Sequence, residues 1–215
     1  MARGHALTTE YLDQTEQERL TAYTFAKRHI EWLGGRIAVK KAAMELLGST
    51  SQPPTHYKDL RIETAVTGRP YLKSRTDEGV ASLPGISISH SGNFAGGLAV
   101  TAQPCGLDLQ RITPKILKFR ERMAPNDNLD LICDKLDSDD EATALTLLWS
   151  AKEAFRKAIA CHPLVGFTEI TLQSLTGDLR GGMVGHFSCP RLKSPPLPAF
   201  LTIIEDVVCA ITVLH

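Results

Sequence analysis

The strongest pattern of apolar positions along the chain has a helical period and falls in two places. From about Glu16 to Leu47, Ile30, Leu33, Ile37, Ala38, Lys41 and Met44 recur every three or four residues, and Gly48 follows as a stop. Gly34-Gly35 costs this helix propensity and marks a bend or a close approach of another element. The second helix opens on Asp139-Asp140-Glu141, acids suited to its N-terminal dipole, and runs to about Ala160. Leu148, Ala151, Phe155, Ala158 and Ile159 lie on one arc and face a core, while Trp149, Glu153 and Lys157 form a second stripe.

Elsewhere the period is two. Leu60 to Ala65 reads as a short strand, and so does Gly85 to Ser89, with Ile86 and Ile88 on one face and Ser87 and Ser89 on the other. His90-Ser91-Gly92-Asn93 reads as the turn into a strand from Gly97 to Ala102. In Gly106 to Gln110 the alternation buries Leu107 and Leu109 and places Asp108 and Gln110 together on the opposite face. Strand-like runs follow at Phe167 to Leu172, Gly182 to Ser188, Phe200 to Ile204 and Val207 to Leu214, an antiparallel sheet closing the second half.

Between these elements the chain is irregular. The opening dozen residues carry no pattern and read as loose. Ser49 to His56 is a Pro/Ser/Thr linker, Thr67-Gly68-Arg69-Pro70-Tyr71 a turn, and Arg75 to Leu83 a polar loop. Ile112 to Ser138 is mixed and is the expected place for a flexible flap. A break at Gln103-Pro104 divides the chain into an expected N-terminal subdomain, 1–104, and a C-terminal one, 105–215, of α+β class.

Composition narrows the function classes. The 215 residues are 43% hydrophobic, enough for a sizeable core, and 24 basic residues balance 24 acidic ones. With zero net charge there is no global field to attract nucleic acid or an anionic membrane, so any anion site must be a local cluster. No apolar run is long enough to span a bilayer, and the polar start lacks a secretory core, so the expected compartment is the cytosol. The five cysteines form no Cys-x-x-Cys pair and read as reduced, mostly buried thiols.

Read residue by residue, each candidate for chemistry has a plain structural reading. Lys27, Arg28, Arg36, Lys40 and Lys41 make the first helix basic, which by itself is a solvated face; Arg36 and Lys40, four apart, share a side. Asp108 in a buried strand is a satisfied polar group or half of an ion pair. Glu153 and Lys157 are an i,i+4 pair contributing about 0.3–0.5 kcal/mol. His90 at a strand end is commonly structural.

Taken together and in order, Gly68-Arg69-Pro70, Gly85-Ile86-Ser87-Ile88-Ser89-His90-Ser91, Gly106-Leu107-Asp108-Leu109-Gln110 and Trp149-Ser150-Ala151-Lys152-Glu153-Ala154-Phe155-Arg156-Lys157 resemble the motifs of the Sfp-type 4′-phosphopantetheinyl transferase superfamily. The resemblance covers roughly residues 19–213 and implies an α+β fold of two similar, pseudo-twofold halves, each an antiparallel sheet on a long helix, with coenzyme A in the cleft between them. The family's first strand, ahead of the N-terminal helix, is not evident, so the first half is expected to have a reduced sheet. The implied activity is transfer of phosphopantetheine from coenzyme A to a serine of an acyl or peptidyl carrier protein, with release of 3′,5′-ADP.

The resemblance also implies roles. Lys27, Arg28, Arg36, Arg69, Ser89 and His90 would hold the phosphates of coenzyme A, a task that suits charge-assisted donors. Asp108 and Glu153 would hold Mg²⁺, with Mn²⁺ as a substitute, Glu153 would also act as base, and Lys157 and His90 would meet the diphosphate. Gln110 stands where the family has Glu: its amide oxygen can ligate a hard cation but brings no charge, so the site rests on two carboxylates, the diphosphate and water. Asp127 stands at the Glu position of the family's Arg-Phe-Phe run, and Cys161-His162-Pro163 replaces its Lys-Gly stretch. The implied partners are a carrier protein and coenzyme A, with neither nucleic acid nor membrane, and the implied state is a monomer. The alternatives are a non-catalytic homologue that binds coenzyme A or a carrier, and a nucleic-acid module built on the basic helix. Retention of Asp108, Glu153 and Lys157 argues against the first; zero net charge and the lack of interleaved aromatics argue against the second.

Overall fold

A computed structural model describes residues 2–48, 54–74, 83–101, 103–136, 140–159, 164–178 and 180–214. The expected linker at 49–53, the polar loop at 75–82, Ala102, the end of the mixed segment at 137–138, Asp139 and the stretch 160–163 lie outside these residues. The chain divides into two compact units, Met1–Pro104 and Cys105–His215. Both mix helices with antiparallel strands.

The first unit opens with three helices, α1 (Ala2–Tyr11), α2 (Gln14–Thr21) and α3 (Ala26–Leu47). An ordered helix at the start corrects the expectation of a loose one. Its C-terminal end explains it: Tyr11 and Leu12 are buried with Leu20 against Tyr23, Trp32, Leu33, Ile37 and Tyr57. Asp13 then caps α2, accepting from the Glu16 amide at 2.8 Å while Glu16 accepts from the Asp13 amide at 3.3 Å. This reciprocal box satisfies two orphan donors and starts a new helix. A second break at Ala22–Phe25 means that the single expected helix from Glu16 to Leu47 is two.

The buried face of α3 also differs from the predicted stripe. It consists of Gly35, Val39, Lys40, Ala43 and Leu47, whereas Ile30 is 69% exposed. Glycine is the reason. A Cβ on Gly35 would come within 2.6 Å of Ile88, so the Gly34-Gly35 pair marks a close approach. What approaches is a hairpin of β3 (Gly85–Ser91) and β4 (Phe94–Val100). On β4, a Cβ on Gly97 would lie 2.2 Å from the Val39 nitrogen, so strand and helix touch through their main chains.

Gly92-Asn93 joins β3 to β4, with Gly92 at φ 59°, as a two-residue turn with glycine first requires. His90 and Ser91 therefore belong to the strand, not to the turn. A separate hairpin of β1 (Leu60–Thr64) and β2 (Pro70–Ser74) is closed by hydrogen bonds within Ala65–Arg69 and by Gly68 at φ 83°. Residues 2–48 hold no strand, and the described residues of the unit form two two-stranded ribbons, a reduced sheet as expected.

The second unit runs β5 (Cys105–Arg111), α4 (Arg120–Met123), α5 (Asp130–Leu136), α6 (Glu141–Ile159), β6 (Thr171–Asp178), β7 (Gly182–Ser188), β8 (Leu197–Ile204) and β9 (Val207–Val213). The sheet is antiparallel in the order β5-β9-β8-β7-β6. Register places Asp108 beside Ala210, then Leu201 and Met183, on the face that packs against α6. Two residues on, Gln110 beside Val208 shares that face. The helix is capped by Asp140, which accepts from the amides of Ala142 and Thr143, and Leu148, Ala151, Phe155 and Ala158 are fully covered.

Residues 112–136, expected as a flap, are pinned. Ile116, Met123, Ala124, Leu129 and Ile132 are in the core, and Asp127 accepts from both Lys152 and the Leu172 amide. The four described cysteines, Cys105, Cys133, Cys189 and Cys209, are free thiols. Among the described residues no helix is long and apolar enough to cross a membrane.

Candidate functional site

In the second unit, three of the residues singled out by sequence come together. Asp108, on β5, is 9% exposed at its side chain. It accepts from Lys157 Nζ at 2.8 Å on one oxygen and from Ser150 Oγ at 3.0 Å on the other. Lys157 also donates to the Leu107 carbonyl at 2.8 Å. Glu153 lies one turn back along α6, but its partner is Arg156, 3.0 Å from Oε1, and not Lys157. The i,i+4 pair expected from sequence is thus replaced by an i,i+3 pair and a helix-to-strand pair.

Burial pushes the Glu153 carboxyl up; Arg156 opposes this, and the neighbouring charge of Asp108 adds to it. The two carboxylates therefore share one electrostatic environment on the α6 side of the sheet. Among the described residues no group of three or more His, Cys, Asp or Glu side chains gathers, so a cation here would rest on two carboxylates. Oxygen donors of this kind, one buried and one half-buried, suit a hard divalent ion.

The candidate cations of the first unit fall in four places. Lys27, 82% exposed, and His90 Nδ1 both approach Glu31, at 3.7 and 3.8 Å. Arg28 reaches the ring of Tyr23. Arg36 turns inward, with its guanidinium 3.3 Å from the Trp32 ring centroid and 3.6 Å from Glu16, and burial lowers its pKa to about 10. Lys40, expected on the solvated face beside it, is fully buried and donates to the Tyr11 carbonyl and Glu16. Arg69 lines a groove of about 520 Å³ with Tyr71, Pro84, Gly85 and Gln103. Ser89 is 6% exposed, and Ser87 is buried as well.

Residues 2–102 match the description "4′-phosphopantetheinyl transferase, N-terminal", and residues 104–185 match "4′-phosphopantetheinyl transferase superfamily". The holo-[acyl-carrier-protein] synthase of Bacillus cytotoxicus is 33% identical over 91 residues, 42% of this chain and 73% of that protein. The chain belongs to the 4′-phosphopantetheinyl transferase superfamily. A second relative of this family, the human L-aminoadipate-semialdehyde dehydrogenase-phosphopantetheinyl transferase, is 26% identical over 183 residues, which is 80% of this chain. The chain spans about half, 54%, of that protein's length. The holo-[acyl-carrier-protein] synthase of Anoxybacillus flavithermus is 37% identical over 71 residues, 33% of this chain and 56% of that protein.

Sequence reasoning assigned no role to Ser150, Arg156 or Glu31, each of which touches a predicted site residue. Ser150 and Arg156 lie within the family motif already quoted, so the motif was the available signal. Glu31 showed only its i,i+4 spacing from Lys27; its approach to His90, on another element, left no signal in the sequence.

Proposed function

We propose that this chain transfers the 4′-phosphopantetheine group of coenzyme A to a serine hydroxyl of an acyl or peptidyl carrier protein, releasing 3′,5′-ADP. The observation that carries the reading is the meeting of Asp108, Lys157 and Glu153 on the α6 side of β5, in a chain of this family. The names of the synthase relatives support the carrier as acceptor.

Asp108 and Glu153 are the residues that would hold Mg²⁺, with Mn²⁺ as substitute and the Gln110 amide oxygen available on the same face. A divalent cation bound there would neutralise the diphosphate and the charge developing on the leaving phosphate of 3′,5′-ADP. Lys157 adds a donor to the diphosphate beside Asp108. Glu153, whose carboxyl is pushed up by burial, takes the serine proton. In the first unit, Lys27, Arg28, Arg36, Arg69, Ser89 and His90 anchor the phosphates of coenzyme A.

In this reading 1–104 and 105–215 are the pseudo-twofold halves of the family fold, the first binding the nucleotide end and the second carrying the metal site. The protein acts as a monomer in the cytosol. The test is intact mass of a purified apo carrier protein incubated with this protein, coenzyme A and Mg²⁺, beside Asp108→Ala. A gain of one phosphopantetheine with the wild type alone is expected. No gain on several unrelated carriers, with coenzyme A still bound, would make the chain a non-catalytic binder.

A further inference from the structure

Resting on that reading, we propose that the site carries its own counter-charges: Lys157 and Arg156 pair with Asp108 and Glu153, so that a divalent cation and the diphosphate of coenzyme A bind as a coupled pair by exchanging partners with them. Each carboxylate already has its own cation, Lys157 Nζ at 2.8 Å from Asp108 and Arg156 at 3.0 Å from Glu153. Two negative and two positive charges leave the group near zero.

All four side chains are at most 32% exposed, so an unpaired charge here is poorly solvated and costly. A divalent ion arriving alone must displace a cation from its carboxylate, and Lys157 would also give up its bond to the Leu107 carbonyl. A diphosphate arriving alone would attract the two cations and strip the carboxylates of their partners. Arriving together, the ligands allow an exchange: carboxylates turn to the metal, and the displaced ammonium and guanidinium turn to phosphate oxygens. Positions 153, 156 and 157 sit three and four apart on α6, so this exchange needs rotamer changes only. Arg156 thereby gains a role: it sets the dependence of one ligand on the other.

The experiment is calorimetric and electron-paramagnetic titration of the full chain with Mn²⁺, with and without coenzyme A, corrected for Mn²⁺ bound by coenzyme A in buffer. Mn²⁺ affinity should rise about tenfold or more with coenzyme A, and coenzyme A affinity should rise with Mn²⁺ by the same factor, as linkage requires. Arg156→Gln should tighten Mn²⁺ binding to the free chain and shrink the coupling; Lys157→Met should do the same if the first variant folds poorly. Equal Mn²⁺ affinity with and without coenzyme A in the wild type would overturn the coupling and leave the metal site standing. Coupling that both variants leave unchanged would overturn the assignment to Arg156 and Lys157. No Mn²⁺ binding under any condition would overturn the metal-site reading, and this proposal with it.

Discussion

Lys152 and Asp127 meet 2.5 Å apart inside the second unit, both nearly without exposure, and Lys152 also donates to the carbonyls of Met123 and Phe167. The free oxygen of the pair is used too, since Asp127 Oδ1 accepts from the Leu172 amide at 2.9 Å. The first unit contains the same device: Lys40 pairs with Glu16 and donates to the Tyr11 carbonyl, while Glu16 accepts from the Ile62 amide. Removing one partner strands the other. Asp127→Ala is expected to cost about 3–5 kcal/mol, whereas the apolar double variant Lys152→Met/Asp127→Leu should recover much of that. Urea unfolding followed at Trp149, in a Trp32→Phe background, checks both.

Main-chain contact between strand and helix leaves no room for a methyl group. A Cβ on Gly106 would lie 1.8 Å from the Ala154 carbonyl oxygen, and one on Gly97 2.2 Å from the Val39 nitrogen. Gly106→Ala and Gly97→Ala should each destabilise by at least about 1–3 kcal/mol. Gly181→Ala, whose nearest neighbour is Asp178 at 3.7 Å, should be close to neutral. Thermal melts of the three variants decide it; equal melting points would refute the close approach.

Ser150 orients Asp108 from a fully buried position. Ser150→Ala should lower Mn²⁺ affinity and carrier modification about 10–100-fold, as loss of an outer hydrogen bond to a metal ligand does. Ser150→Thr should retain most of both. A loss of stability alone, with metal affinity unchanged, would show that the hydroxyl serves packing only.

Glu153 sets a pH dependence. Its carboxyl is raised by burial, so the folded state binds this proton more tightly than the unfolded chain. Stability from this group is therefore greatest at or below the unfolded value and falls as pH rises through the folded one. Glu153→Gln should raise stability at pH 7 relative to wild type and flatten the stability profile above about pH 4.5. Denaturant midpoints from pH 4 to 8 give the answer, and a Gln variant less stable at pH 7 would contradict it.

Much of this is legible in the sequence. The face shared by Asp108 and Gln110 follows from period two alone, and the apolar arc of α6 from period 3.6. Burial of Lys40 and Lys152 was not legible, because an isolated lysine reads as solvated and its partners lie far away in sequence at Glu16 and Asp127. The face of α3 was misjudged because Gly35 packs without contributing any hydrophobic signal. In the described part of α1 only Tyr11, at its end, is buried, too little for a periodicity to register. The box Asp13-x-x-Glu16 was readable as a helix start and would have placed the break before α2.

Seating β4 and β5 on their helices through glycine has a consequence for how this protein can change over time. Asp108 stands two residues beyond Gly106 on the same face, and His90 pairs across from Ala95, two residues before Gly97. The spacing between each of these strands and its helix is set by backbone atoms, which every sequence shares. Apolar side chains around them can be exchanged over many generations without shifting the ruler from which the polar groups are measured. The two glycines cannot, and drift among the apolar residues around them should leave both in place.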